Sequence, residues 1–369
     1  MELSPQDALR LNVLLANKPQ AIRINESSMT VFGLSANGEA QIELNPTGRH
    51  EQYLKRVKEL FSGHVLGSPG GYPVYLQRWT RMGQMRDDNL DQLLLLGEPE
   101  AVVAVVCAPG ITDELARRAW WAMEDAENAR RMLMRDAVSE GDMGPVLAHY
   151  IVDYLPFETE IEQMMVTVSL VLKPGLISDE AKEDLWARAR RKPAYYVGFL
   201  SACPDDLPEQ KQASARYHEL QQRLSAIAAD NPVAALLLRV HSPAGQAFLD
   251  TVVRVLKKPG TQEMVTATLD NLALYFSGMR PEGRVDMTLA ELEQDTEYGM
   301  PETAQAVEEV LEHCPDCAGE IQNMYLLSGL GYGVLRPVLR DTTAIGSLMR
   351  RKIEPVVTPL LDRIAQLRS

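Results

Sequence analysis

Two cysteines separated by two residues, in His313-Cys314-Pro315-Asp316-Cys317, form the sharpest chemical pattern in the chain. A Cys-x-x-Cys pair can cycle between dithiol and disulfide, carry a persulfide, or supply half of a metal site. Pro315 has no N–H to give to a preceding turn, so it must open a new helix. That places both thiols around a helix amino terminus, where free backbone N–H groups favour a thiolate. Glu312, Asp316 and Glu320 add negative charge that opposes this. The competing reading is a helix corner that needs small residues. Cys314 is the expected first nucleophile and Cys317 the expected resolving thiol.

A zinc site would need two further ligands. Cys203 and His218 are at hand, but no spacing selects them, and no metal is expected. His218-Glu219-Leu220-Gln221-Gln222 has Gln222 where a zinc-protease helix needs its second histidine. Gly329-Leu330-Gly331-Tyr332-Gly333 lacks the third glycine of a dinucleotide-binding turn and follows a helical rather than a strand-like segment. It reads as a turn between helices. No Walker sequence is present, and no Ser/His/Asp set assembles from the sequence. No catalytic residue and no cofactor are expected.

Two basic stretches with aromatic neighbours are candidates for anion or RNA contact. One is Arg78, Trp79 and Arg81. The other is Arg188, Arg190, Arg191 and Lys192, which runs into Tyr195-Tyr196. Arginine beside exposed aromatic rings can hold single-stranded RNA. The net charge of −14 argues for salt-bridged helix faces instead and discourages a whole-surface nucleic-acid role.

The elements that must position these groups are mainly helical. The 369 residues, 46% hydrophobic and 24% charged, are ample for a sizeable core. Four cysteines do not make a disulfide framework. The first residues show no basic-then-apolar leader. The apolar run at 93–109 is broken by Gly97-Glu98-Pro99-Glu100, short of the roughly 20 residues a membrane span needs. The expectation is a cytoplasmic protein without membrane insertion.

Residues 8–15 read as a short helix. Runs at 21–24, 29–34 and 39–44 read as a three-stranded β-meander with Asn37-Gly38 at its second turn. A helix over about 51–61 and a Gly/Pro-rich loop over 63–73 follow. Beyond them a corner recurs: an apolar helix ends at Pro109-Gly110, Pro174-Gly175 and Pro259-Gly260, and a polar residue starts the next helix. Thr112 and Ser178 are the expected N-caps. Leu115, Ala119, Met123, Ala126 and Ala129 make an apolar stripe on one continuous helix. The last helix is expected to start with Thr358 as cap and Pro359 at its first position.

Stacked hairpins of this kind suggest a degenerate HEAT-like helical-hairpin solenoid, with a globular helical bundle as the alternative. The expected organisation is an α+β cap at 1–85, a helical repeat region at 86–205 and a second at 206–369. The polar stretch 205–216 divides the two helical regions.

Several stretches together carry a resemblance. They are Leu11-Asn12-Val13-Leu14-Leu15-Ala16-Asn17-Lys18-Pro19-Gln20-Ala21-Ile22-Arg23-Ile24, the 63–86 segment with Trp79, 93–106, 113–133 with Trp120-Trp121, and Tyr195-Tyr196-Val197-Gly198-Phe199-Leu200. The chain resembles the DsrS proteins, accessory components encoded beside the reverse-acting dissimilatory sulfite reductase (Dsr) of bacteria that oxidise stored sulfur. The likeness covers most of the chain and is strongest over residues 1–210. It implies a cytoplasmic supporting role among Dsr sulfur-oxidation proteins as partners, with no catalytic residue to carry over. Cys107, Cys203, Cys314 and Cys317 do not supply the ligand pattern of an iron–sulfur or siroheme reductase. The expected function is a non-enzymatic helical scaffold or regulator. Thiol-based sulfur handling at Cys314/Cys317 and post-transcriptional RNA binding are the alternatives.

Overall fold

Ser4 starts the first helix by accepting the Asp7 backbone N–H, and the elements that follow match the alternation of the sequence. The structure is a computed structural model that describes residues 2–67, 90–283, 286–300, 303–340 and 344–368. The chain is mainly helical with one small antiparallel sheet. It divides into two units: Met1–Pro156 with Pro174–Leu176, and Phe157–Lys173 with Ile177–Ser369. Neither the boundary expected after residue 85 nor the one expected after 205 coincides with this division.

In the first unit, α1 (Pro5–Ala16) precedes β1 (Ala21–Asn25), β2 (Thr30–Ser35) and β3 (Gly38–Glu43), which lie in the order β1-β2-β3. Gly38 takes φ +118° and closes the tight turn against Ser35. Ile22↔Gly33 and Gly33↔Ala40 pair across the ladders, so these residues share one face. Gly33 lets the Leu14 side chain of α1 pack directly on that face: a Cβ there would stand 2.5 Å from Leu14 Cδ1. On the opposite face Arg23 lies between the Phe32 and Trp121 rings, 4.9 and 4.8 Å from their centroids. Trp121 Nε1 donates to Glu39 at 2.8 Å.

Helix α2 (His50–Leu66) is longer than expected and takes in the first residues of the anticipated loop. It ends at Gly67, whose φ of +63° makes the left-handed stop that glycine tolerates. The remainder of that loop, and Arg78, Trp79 and Arg81, lie outside the described residues. Buried Tyr53 on α2 donates to Asp7 Oδ2 at 2.5 Å, and the Asn45 N–H reaches the same oxygen at 2.8 Å. This carboxylate ties α1, α2 and the end of the sheet around one core.

The helices α3 (Leu90–Leu93), α4 (Pro99–Cys107), α5 (Asp113–Ala122), α6 (Ala126–Leu133), α7 (Asp136–Ser139) and α8 (Met143–Tyr154) complete this unit. Thr112 caps α5 as expected. The apolar stripe over 115–129 is not one helix. Asp125 accepts the Glu127 and Asn128 N–H groups and starts α6 anew after Met123. The local cap outcompetes the continuing periodicity.

In the second unit, α9 (Ile161–Val171), α10 (Asp179–Ala189) and α11 (Ala194–Ala202) come first. Then follow α12 (Tyr217–Leu224), α13 (Pro232–His241), α14 (Pro243–Lys257) and α15 (Gln262–Tyr275). The unit closes with α16 (Leu289–Tyr298), α17 (Ala304–His313), α18 (Ala318–Ser328), α19 (Tyr332–Leu339) and α20 (Gly346–Leu367). Ser178 and Thr261 cap α10 and α15, so the Pro-Gly corners break and restart helices as their residues dictate.

Two helices are enclosed, and the first of them is apolar all round. Helix α11 packs on α9, α10, α14 and α15, and Gly198 lets α9 approach until a Cβ would touch Val168 and the Met165 carbonyl. Helix α18 packs on α13, α15, α16 and α20 and buries most of its length. A one-dimensional stack lets each hairpin touch only its neighbours. Around α18, helices distant in sequence share one bundle core instead.

Helix α20 corrects the expected start at Thr358. It runs unbroken through Pro355 and Pro359. Ile353, Val356, Val357, Leu360, Ile364 and Leu367 form a buried stripe across both prolines, while Pro355 lies on the exposed side. Burial along that stripe outweighs the missing backbone donors.

Candidate functional site

Cys314 ends α17 and Cys317 immediately precedes α18, joined by the 3-10 turn Pro315–Cys317. The expectation of two thiols flanking a helix start is met. The Cys317 N–H donates to the Cys314 carbonyl at 3.1 Å, and the two Sγ atoms lie 2.7 Å apart. Both residues are free thiols and fully buried.

Two arginines from another part of the unit face these sulfurs. Arg216, just before α12, places Nη2 3.7 Å from Cys317 Sγ and 3.9 Å from Cys314 Sγ. The same guanidinium pairs with Asp316 and donates through Nη1 to Glu320 Oε1 at 2.8 Å. Arg223, on α12, places Nη1 3.7 Å from Cys314 Sγ and 3.1 Å from Asp316 Oδ1. Its Nη2 pairs with Glu219 at 2.6 Å.

Behind Glu320 the polar chain continues into the core. His241 Nε2 lies 3.4 Å from Glu320 Oε1, and His241 Nδ1 lies 2.7 Å from Ser214 Oγ. The Ser214 N–H also donates to the His241 carbonyl at 3.0 Å. Sequence reasoning did not assemble this Ser214–His241–Glu320 set. The imidazole has no exposed surface, and Ser214 is nearly buried, so the three cross-link α13, α18 and the segment before α12. Glu320 Oε2 and His241 Nε2 are buried without a hydrogen-bond partner.

The electrostatics differ between the thiols' neighbours. The hydrogen bond with the Cys314 thiol, then Arg216 and Arg223, hold the Asp316 carboxyl below the usual range. Burial, then the adjacent Cys314, push the Cys317 thiol far above its ordinary value against the pull of Arg216. Cys317 is therefore a protonated thiol at neutral pH. Asp316, Glu320 and Glu219 already balance the two guanidinium charges.

Cys314, Asp316 and Cys317 each offer one ligand atom within 4.8 Å of the others. The two guanidinium groups beside the sulfurs oppose a cation there. Cys203 ends α11, where burial pushes its thiol up to about 11. His218 is exposed on α12. Neither joins the cluster.

Arg216 and Arg223 were missed because nothing in the sequence near the cysteines points to them. One local signal existed: Arg216 at the cap of α12 and Arg223 within it are about two helical turns apart, which puts both on one side.

The other basic candidates are scattered. Arg188 pairs with Asp184, and Tyr195 and Tyr196 are buried rather than offered to a base. Arg190 lines a groove of about 670 Å³ with Trp186, Tyr196, Arg254 and Lys258. Arg254 is committed there to Glu209 at 2.8 Å and to the Tyr196 ring.

A second groove, of about 720 Å³, lies in the first unit between α1 and β3. Leu9 and Val13 on α1 are 65% and 52% exposed, and Ala40 and Ile42 of β3 form the other wall. Helix α1 runs beside β3 but leaves Leu9 and Val13 uncovered there. Strand β3 is an edge, and among the described residues nothing pairs with its outer backbone groups.

Comparison of the chain with protein-family models, curated proteins and solved structures finds no match. No helix of the described residues is long and apolar enough to cross a membrane.

Proposed function

We propose that this protein is a non-enzymatic accessory component that works by holding other proteins, in the cytoplasmic Dsr sulfur-oxidation system to which the sequence resemblance points. The observation that carries this reading is the α1–β3 groove. An edge strand with free N–H and C=O groups binds an extended segment by adding it as a further strand. The exposed Leu9 and Val13 beside it would cover that segment's apolar side chains. The capped Pro-Gly corners support reading the helical pairs as degenerate HEAT-like hairpins. With α18 enclosed, the open sheet edge is the docking surface this reading favours.

Affinity capture from sulfur-oxidising cells tests this. The unaltered chain should recover Dsr-pathway proteins, and Leu9→Asp/Val13→Asp should lose them while its circular dichroism stays unchanged. Equal recovery by both chains would refute the groove as the docking surface, and recovery of no pathway protein would refute the reading itself.

A second reading, thiol-based sulfur handling at Cys314 and Cys317, is favoured by the close approach of the two sulfurs. RNA contact at Arg188, Arg190, Arg191 and Lys192 loses support, because the adjacent tyrosines are buried.

A further inference from the structure

We infer that Cys314 and Cys317 are a hydroperoxide-oxidisable dithiol in which Glu320 serves as the proton acceptor for Cys317. The pair needs little movement to bond, since the sulfurs are 2.7 Å apart. Cys314 is the thiol on the solvent side: Arg223 and Asp316, which cover it, have side chains 40% and 54% exposed. Movement of these two flexible groups opens a path for a small peroxide. Cys317 faces Arg216, which it shares with Glu320.

The sulfur of Cys314 attacks one peroxide oxygen, the O–O bond breaks, and the thiol proton leaves with the other oxygen as an alcohol or water. Cys314 is then a sulfenic acid, oxidised by two electrons, and the peroxide is reduced by two. Cys317 next attacks Cys314 Sγ, the S–O bond breaks, and the disulfide closes. The Cys317 proton must be removed for this attack, because burial holds that thiol protonated. Glu320 stands one helical turn after Cys317 on the same face and shares Arg216 with it. Its Oε2 is buried and has no hydrogen-bond partner. It takes the Cys317 proton and returns it to the departing hydroxide, which leaves as water. Arg216, donating to the other carboxylate oxygen at 2.8 Å, fixes the acceptor in place.

The experiment treats the full chain with hydrogen peroxide and follows thiols by differential alkylation and mass spectrometry. A Cys314–Cys317 disulfide should form, with Cys107 and Cys203 unpaired. Cys317→Ser should trap a sulfenic acid on Cys314, seen as a dimedone adduct. Glu320→Gln should form that sulfenic acid at the normal rate but close the disulfide about a hundredfold more slowly. A pair that remains dithiol under excess peroxide, with no adduct in Cys317→Ser, would overturn the redox assignment. Closure at the unaltered rate in Glu320→Gln would overturn the role of Glu320. The Cys317→Ser adduct keeps the oxidation step decidable if Glu320→Gln does not fold.

Discussion

Arg216 reaches Glu320 at 2.8 Å and so ties the segment before α12 to the first turn of α18, across 104 residues of sequence. Glu320 is almost fully buried, and its nearest alternative partner, His241, is charged only on protonation. Removing a partner from such a pair leaves an uncompensated carboxylate. Arg216→Ala is expected to cost about 3 kcal/mol in urea unfolding. Asp316→Ala, at an exposed partner of the same arginine, should cost about 1 kcal/mol or less. Equal costs would show that Glu320 does not depend on Arg216.

Asp7 sets an acid-sensitive tie in the first unit. Burial alone would raise its pKa, but hydrogen bonds from Tyr53, Asn45 and Ser4 outweigh that and hold it below the ordinary value. Its contribution to stability is complete above the unfolded pKa of about 3.9 and is lost as pH falls through the lower folded value. Tyr53→Phe should cost about 2 kcal/mol at neutral pH by removing one donor to a buried carboxylate. Urea titrations at a series of acidic pH values should show a shallower decline for Asp7→Asn than for the unaltered chain.

Two glycines should respond differently to alanine. At Gly33 the new Cβ would meet the tip of the Leu14 side chain, which can rotate, so the cost should be about 1 kcal/mol. At Gly245 it would stand 2.2 Å from the Arg239 carbonyl oxygen and 2.4 Å from that of Val240, which are backbone. Gly245→Ala is expected to cost about 3 kcal/mol or to prevent folding. Thermal unfolding of the two variants gives the comparison.

The prolines inside α20 offer a stabilising change. Pro355 is exposed, so replacing it restores an N–H donor without emptying the core. Pro355→Ala should raise stability by about 1 to 3 kcal/mol in chemical denaturation. A loss of stability would mean that the ring itself makes contacts α20 needs.

Local residue chemistry determined much of this fold without help. Alternation set the meander, Gly38 its turn, and Thr112, Ser178 and the Pro-Gly pairs the breaks between helices, because caps and turns act within a few residues. Pro315 likewise puts the two cysteines at a helix start through its own missing N–H. The same local logic failed where a competing force acted. Asp125 recaptured free N–H groups and split an apolar stripe, while packing along Ile353 to Leu367 carried α20 through two prolines. Only the tertiary structure decided what surrounds the thiols. Arg216, Arg223 and His241 arrive from helices about 75 to 100 residues away in sequence, and chain-closing contacts of that length leave no periodicity to read. It also decided that α18 is enclosed, since a helix's own residues do not specify which helices cover it.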